Sequence, residues 1–373
     1  MKGDSSKNKI KELLSLAGIS VDGSLPWDIQ VRNERFYNRL IAEGSIGLGE
    51  SYMDQWWDVE ALDEFFYRTS RAGLDRRRDL SLENIRLFLR SKLTNMQSKV
   101  GSQKVAKEHY DLDNELYMSF LDPFNQYTCG YFKETEDLNV AQEQKLDLIC
   151  RKLMLKPEDR VLDIGCGWGG FAKFAAKNYG SKVTGITISE EQLNFARTFC
   201  KGYPISIEKL DYRDLNKEFD KVLICGMIEH VGYKNYARIF EVVKNNLSEN
   251  GLFLLHTIGR NTSTSAVDPW FEKYIFPNSM LPSIKQLSKA AEGRFVIEDL
   301  HNFGYYYAKT CRAWWVNFKN SWEHLKDKYD DRFYRMWKYY LLSSAGAFEA
   351  RSIQLWQILM SKNGVVEGMK PVR

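Results

Sequence analysis

Residues 161–170 read VLDIGCGWGG, an apolar run that breaks into four glycines within six positions. Val161, Leu162 and Ile164 suit a buried strand. The glycines that follow let the chain turn sharply and bring backbone N–H groups close to a ligand. Gly165, Gly167 and Gly170 also satisfy G-x-G-x-x-G. That pattern occurs in several unrelated cofactor folds, so the neighbouring segments must decide what the loop holds.

Downstream the rhythm is regular. VLDI is followed by FAKFAAKNYG, KVTGI by EEQLNFARTFC, ISIEKL by a loop and KVLICGM by NYARIFEVVKNNL, and GLFLLHTIG closes the series. Strand and helix alternate five times, and RFVIEDL and SIQLWQILM supply two further strands. This predicts an α/β domain with a doubly wound, mostly parallel sheet whose ligands bind beyond the carboxyl ends of the strands. The first 80 residues read instead as helices (IKELLSLAGI, RFYNRLIAEGS, ALDEFFYRTSRAG) separated by GSLPWD and GSIGLGESYMDQWW. Residues 81–100 carry Ile85, Leu89, Leu93, Met96 and Val100 at helical spacing, interleaved with Arg86, Arg90, Lys92 and Lys99. Two readings stand for that helix: a linker packed on its neighbours, or a basic face toward anionic lipid, extended by Arg76, Arg77 and Arg78. The expected organisation is a helical N-terminal domain over 1–82, a linker helix over 83–108 and a catalytic domain over 109–373.

A formal charge of +4 over 373 residues makes no polycation, and no nucleic-acid partner is expected. The six cysteines form no C-x-x-C pair, which argues against a zinc knuckle or a secreted disulfide framework, fits a reducing cytoplasm and leaves no metal site expected. The N-terminus reads as an amphipathic helix rather than an export signal. Apolar runs such as GLFLLHTIG fall far short of the roughly 18–20 residues of a membrane span.

A nicotinamide dinucleotide requires a carboxylate at the end of the second strand, about 20 residues past the glycines. That strand ends instead in Gly185, Ile186, Thr187 and Ile188. The first strand ends in Asp163, placed to meet a cationic amine, as in S-adenosylmethionine, which has no phosphate to hold. After the third strand, Asp211 and Tyr212 suit contacts to adenine, or equally an ordinary polar strand end. Ser189 and Gln192 form a capping-box pattern on a helix whose entry borders the same crevice. Glu229 and His256 follow the fourth and fifth strands, so two titratable groups face the methyl donor; a satisfied core histidine is the alternative for His256. Cys129, in YTCGYF, reads on its own as a small buried hydrophobe.

The chain resembles the cyclopropane fatty acid synthases and, more distantly, the mycolic acid cyclopropane synthases. The marks are GSIGLGESYMDQWW, KEHYDLDNELY, YTCGYF, VLDIGCGWGG, ITISEEQ, MIEHVG, LLHTIG, DPWFEKYIFPN, HNFGYYYAKT and RSIQLWQ, in the family's order and nearly end to end. The N-terminal GSIGLGESYMDQWW favours the phospholipid branch. The resemblance implies a Rossmann-like class I methyltransferase domain with a seven-stranded sheet beside a smaller helical domain. It further implies transfer of a methyl group from S-adenosylmethionine to the cis double bond of an unsaturated phospholipid chain, and ring closure as that methyl loses a proton to bicarbonate. The matching cage is Cys129, Glu229, His256 and Tyr307 with the backbone of Ile258; aligning from HNFG selects Tyr307 from the run of three tyrosines. The matching cofactor contacts are Tyr127, Thr128, the loop of Gly165, Gly167 and Gly169, Thr187, Gln192, and the segment Asp211, Tyr212, Arg213. Ser344 stands where some relatives have cysteine, so a thiol there is not essential. A cytoplasmic homodimer, peripheral to the inner face of the membrane and touching anionic lipid, is the further expectation. Two rival readings are a lipid-alkene methyltransferase giving a branched methyl or methylene product, and a lipid-binding module with a vestigial cofactor pocket.

Overall fold

The computed structural model describes residues 2–74, 114–265 and 267–373. The helices, in chain order, are α1 Lys2–Ser15, α2 Arg35–Glu43, α3 Ser45–Met53, α4 Leu62–Arg71, α5 Asn114–Met118, α6 Leu138–Lys152, α7 Gly170–Tyr179, α8 Glu190–Phe199, α9 Tyr236–Asn246, α10 Pro269–Tyr274, α11 Ile284–Ala291, α12 Tyr305–Leu325 and α13 Asp331–Glu349. The strands of the main sheet are β1 Arg160–Ile164, β2 Lys182–Thr187, β3 Ile205–Lys209, β4 Phe219–Cys225, β5 Leu247–Arg260, β6 Val296–Asn302 and β7 Ile353–Ser361.

Chain contacts divide these residues into two compact units. One takes residues 2–74, 265–277 and 307–353; the other takes 114–264, 278–306 and 354–373. The sequence boundaries at 82 and 108, with the linker helix between them, lie outside the described residues. The long helices α12 and α13, which chain order alone assigns to the catalytic domain, group with the N-terminal helices instead.

The second unit is built on a seven-stranded sheet in the order β3-β2-β1-β4-β5-β7-β6. Strands β1 to β5 pair in parallel where they adjoin, and β6 runs antiparallel to β7. The period-2 geometry of a strand explains why the central runs are apolar throughout. Leu162, Ile164, Val222, Ile224, Phe253 and Leu255 face one way and pack with Ile239 and Phe240 of α9 and Leu287 of α11. Their alternates Val161, Leu223, Leu252 and Leu254 face the other way, with Leu146 and Ile149 of α6 and Phe171 and Ala175 of α7. Helix starts are fixed by side chains that satisfy otherwise unpaired N–H groups. Asp137 accepts from Val140 N at 3.0 Å before α6, and Ser283 with Gln286 forms a complete capping box at α11.

The first unit corrects one expectation. GSIGLGESYMDQWW reads as a break between helices, yet Ser45–Met53 is a helix, α3, buried from Ile46 onward at all but one position. A helix covered on every side has no polar face and therefore no amphipathic period to detect. Its glycines serve close approach. A Cβ on Gly47 would stand 2.5 Å from the carbonyl oxygen of Arg39 in α2, and one on Gly49 would stand 2.3 Å from the ring of Trp270 in α10. Glu50, on the same helix, accepts from Lys273 at 2.6 Å, from the Tyr274 hydroxyl at 2.7 Å and from Arg39. Trp57 donates to the Leu48 carbonyl at 3.0 Å, and Tyr52, Phe65, Trp270 and Tyr339 complete an aromatic core.

Gly49→Ala gains helix propensity of about 1 kcal/mol. It also forces a methyl into the fully buried indole of Trp270. Overpacking typically costs about 1–3 kcal/mol, so a net loss of stability is expected, read as a lower urea midpoint with unchanged slope. A midpoint at or above the parent's would show that the close approach does not constrain this position.

Candidate active site

The carboxyl ends of β1 to β5 carry most of the residues singled out by sequence; Tyr127, Thr128, Cys129 and Tyr307 lie on other elements. After β1 the chain passes through Gly165, Gly167 and Gly169 with φ of +80°, +53° and +83°. Gly165 N and Cys166 N both donate to the Ile186 carbonyl, at 2.9 and 3.1 Å, which ties the loop to the end of β2. A Cβ on Gly165 or Gly169 would strike Met227 or Cys200 at 2.7 Å, whereas one on Gly167 meets nothing within 4 Å. Gly167 therefore borders open space, a cradle where a ligand can approach backbone. Asp163, at the base of this loop, is buried, and its carboxyl is pushed up to about 7 by desolvation against the opposing pull of Lys145.

At the end of β2, Thr187 donates from its hydroxyl to Gln192 Oε1 at 3.1 Å and accepts from Ser189 N at 3.2 Å. Ser189 accepts from Gln192 N at 3.3 Å. Only half of the expected capping box is present, because Gln192 turns its carboxamide to Thr187 instead of the Ser189 backbone. After β3, Asp211 accepts from Arg213 N at 3.0 Å and pairs with its guanidinium at 3.3 Å. The Tyr212 ring belongs to the apolar core on the α9 face, with the Arg213 guanidinium 5.0 Å from its centroid.

The parallel register of β4 and β5 sets Cys225 opposite His256, and Gly226 N donates to the His256 carbonyl at 2.9 Å. A short 3-10 turn, Ile228–His230, then returns Glu229 toward β5, where its Oε1 accepts from Ile258 N at 2.8 Å. Its other oxygen, Oε2, is buried with no hydrogen-bond partner. His256 is equally enclosed. Its Nδ1 lies 3.3 Å from the Gln357 amide nitrogen on β7, and its Nε2 has no partner. With the Gln357 NH₂ turned toward the ring, Nδ1 accepts and the ring proton falls on Nε2, an orientation that leaves Gln357 Oε1 itself unpartnered. Desolvation pushes Glu229 up to about 7 and His256 well below its ordinary value. At neutral pH the site thus presents a neutral imidazole N–H and a carboxyl poised between donor and acceptor.

The YTCGYF loop reaches this site through two contacts. Thr128 faces the end of β4: its hydroxyl lies 3.8 Å from Cys225 Sγ, and a Cβ on Gly226 would meet its methyl at 2.7 Å. Tyr131 packs edge-on to Phe303 at 5.2 Å, and Phe303 stands edge-on to His256 at 5.9 Å. Tyr127 packs against Tyr117 at 5.3 Å. Cys129, next to Thr128, is fully buried, its thiol 3.2 Å from the Gly130 carbonyl. Cys129, Glu229, His256 and Ile258 therefore belong to one unit. Tyr307 belongs to the helical unit, on the first turn of α12, with its ring stacked on Phe348 at 4.3 Å. Ser344 is buried in that unit on α13.

Two residues that hold this site escaped the sequence reading. Gln357 lies within RSIQLWQ, where nothing local distinguishes it from a core-facing strand residue. Lys145 sits in the helical run of α6, where a lysine ordinarily marks a solvated face. Instead it is fully buried and donates to Gln126 and, at 2.9 Å, to the Thr128 hydroxyl.

A buried carboxyl oxygen and a buried imidazole nitrogen, both unpartnered at a strand end beside a glycine loop, fit a small polar ion that both donates and accepts hydrogen bonds. The family model for mycolic acid cyclopropane synthetase matches residues 97–358. The chain is 50% identical over 362 residues to the cyclopropane-fatty-acyl-phospholipid synthase of Escherichia coli K12, covering 97% of this chain and 94% of that one. The cyclopropane synthase MmaA2 of Mycobacterium tuberculosis shares the fold, with a TM-score of 0.65, 26% identity, and coverage of 70% of this chain and 98% of that one. The mycolic acid cyclopropane synthase CmaA1, solved with SAH and CTAB, has a TM-score of 0.64 and 28% identity, with coverage of 70% and 98%. The chain belongs to the mycolic acid cyclopropane synthetase family.

Proposed function

We propose that this enzyme is a cyclopropane-fatty-acyl-phospholipid synthase: an S-adenosylmethionine-dependent methyltransferase that converts the cis double bond of an unsaturated phospholipid chain into a cyclopropane ring. The pair of unpartnered polar atoms, Glu229 Oε2 and His256 Nε2, carries the reading of the chemistry, because a dry cage beside the methyl donor is what a cation-forming reaction needs. When bound, S-adenosylmethionine supplies the methyl group and bicarbonate supplies the base. Held there, the donor would give up its methyl as its S–C bond is exchanged for a C–C bond to the chain, and the resulting chain cation would close to the ring with the C–H pair freed when the new methyl loses its proton to the base.

The residues act on position and charge. Gly167 leaves its backbone accessible to the cofactor, and Gln192 is held by Thr187 at the neighbouring strand end. Glu229, pinned by Ile258 N, and His256, pinned by Gln357, orient the anion and fix its protonation, with Cys129 as the third wall. Tyr307 is assigned to the same cage by family resemblance. Burial keeps water from capturing the cation, which otherwise ends as an alcohol.

The decisive assay incubates the enzyme with labelled S-adenosylmethionine and unsaturated phospholipid vesicles and weighs the released chains. Gain of one CH₂ with loss of the double bond is expected; retained unsaturation selects a branched product, and no labelled chain returns the protein to lipid binding alone. Glu229→Gln and His256→Ala are expected to lower kcat by about a hundredfold or more while SAH affinity holds within about threefold. Gly167→Val, at φ +53°, should weaken SAH binding itself. Near-normal turnover in Glu229→Gln would remove the residue from the cage.

The helical unit is assigned to lipid docking, in a homodimer peripheral to the inner membrane face. No helix among the described residues is long and apolar enough to cross a membrane. The basic face expected over 81–100 and its extension at Arg76, Arg77 and Arg78 lie outside the described residues; just upstream, Arg68 is engaged with Glu64 at 2.8 Å and lies 3.7 Å over Trp27. Flotation with vesicles should show binding that rises with anionic lipid and falls with salt. Salt-insensitive binding would count against the electrostatic role.

A further inference from the structure

Strands β5, β7 and β6 lie side by side in the sheet, and each turns one polar side chain to the face covered by α6 and α7. On β5, His256 follows Leu252 and Leu254 of that face at steps of two. On β7, Gln357 stands two residues before Leu359 of the same face. On β6, His301 lies directly opposite Gln357 in the antiparallel register, and opposed residues share a face. Asp299, two residues before His301, reaches Lys152 of α6 at 3.2 Å, as that orientation requires. One aromatic ring touches both histidines: the Phe303 centroid lies 4.9 Å from that of His301 and 5.9 Å from that of His256. Tyr131 closes the group, 5.7 Å from His301 and 5.2 Å from Phe303.

Each of the three polar side chains carries a buried atom with no hydrogen-bond partner: His256 Nε2, Gln357 Oε1 and His301 Nδ1. Three such atoms on neighbouring strands are costly unless they satisfy one another or a ligand. With its NH₂ 3.3 Å from His256 Nδ1, Gln357 presents an oxygen that only accepts, and its cross-strand neighbour offers the matching donor. Cβ atoms of such neighbours stand about 5 Å apart, so the imidazole reaches the carboxamide directly or through one water. Burial, with the positive Lys152 and Arg373 nearby, pushes His301 down to about 4, so at neutral pH it holds a single ring proton. We propose that His301, Gln357 and His256 form a polarised hydrogen-bond chain across β6, β7 and β5: His301 Nδ1–H donates to Gln357 Oε1, the Gln357 NH₂ donates to His256 Nδ1, and His256 keeps its proton on Nε2 for the anion of the cage. Run in reverse, the same groups leave a bare lone pair on Nε2, which repels an anion. Gln357 and His301 are thus positioning residues that set the tautomer of His256. This rests on the cage reading above and adds what makes its histidine a donor.

The test uses the full-length enzyme with SAH, labelled with ¹⁵N-histidine, the five histidines being assigned by single substitution. A long-range ¹H–¹⁵N spectrum at pH 7 reports which ring nitrogen carries each proton. His256 is expected as the Nε2–H form and His301 as the Nδ1–H form. Gln357→Met removes the amide at nearly unchanged length. It is expected to shift the His256 ring signals toward a mixture of tautomers and to lower kcat about tenfold or more, with SAH affinity changed less than about threefold. His301→Phe keeps a ring without a donor and should shift the same signals, with kcat down about threefold. His301→Asn, whose amide nitrogen takes the place of Nδ1, should restore both. A His256 found as Nδ1–H in the parent overturns the chain, as does a tautomer unmoved by Gln357→Met and His301→Phe. A rate loss in His301→Phe that His301→Asn does not restore makes His301 a packing residue and overturns its part. Full turnover in His256→Ala would overturn the cage reading instead. Should Gln357→Met fail to fold, the parent spectrum and the two His301 variants decide.

Discussion

The parallel register between β4 and β5 is the constraint on which the site depends. It sets Cys225 opposite His256, so that the turn after β4 returns Glu229 to the backbone of Ile258, two residues past the histidine. Side chains on a strand alternate faces with period 2, and a slip of one residue would send His256 to the opposite face. The apolar alternation of Val222, Leu223 and Ile224 against Phe253, Leu254 and Leu255 forbids that slip, because each set packs on its own layer of helices. The core thus fixes the register that brings the two titratable groups to one strand end, where Ile258 N and Gln357 hold their side chains.

That geometry has an electrostatic consequence. Glu229 and His256 are both desolvated, and both are driven toward their neutral forms. A resident carboxylate strong enough to take a proton from a methyl group would need to remain charged in the same dry space, and desolvation works against it: Glu229 already stands near 7. On the proposed mechanism the protein resolves this by dividing the task. Its own groups stay neutral and orienting, and the charge enters as an ion. Gln357, behind the imidazole, is then the group that holds His256 in place for that ion.

Much of this was legible in the sequence. The seven strands, their order along the chain and the glycine loop follow from short apolar runs broken by turn residues, and the strand-end rule singled out Asp163, Asp211, Glu229 and His256, which the fold sets toward the carboxyl ends of β1, β3, β4 and β5, whereas Thr187 came from the family resemblance. What escaped shares one physical cause. Periodicity reports a boundary between apolar and polar faces, so it is silent where an element is enclosed on all sides. Helix α3 was invisible for that reason, and Lys145 was misleading, since a charged residue in a helix looks like the solvent side. The Ser189–Gln192 pattern failed differently: Thr187, two residues upstream, competes for the glutamine side chain.

The grouping of α12 and α13 with the N-terminal helices is a further limit on reading along the chain. Gly346 on α13 would place a Cβ 2.4 Å from the Asp63 carbonyl on α4, and Arg312 on α12 pairs with Asp63 at 2.6 Å as well as with Glu349. Backbone approach that close demands a glycine at one end and a defined partner at the other, so the helices of residues 305–349 are built for the N-terminal segment more than for the sheet that precedes them. Tyr307 and Ser344 travel with that helical unit, while Cys129, Glu229 and His256 belong to the sheet. Family resemblance thus assigns to one site residues that the fold distributes over two units.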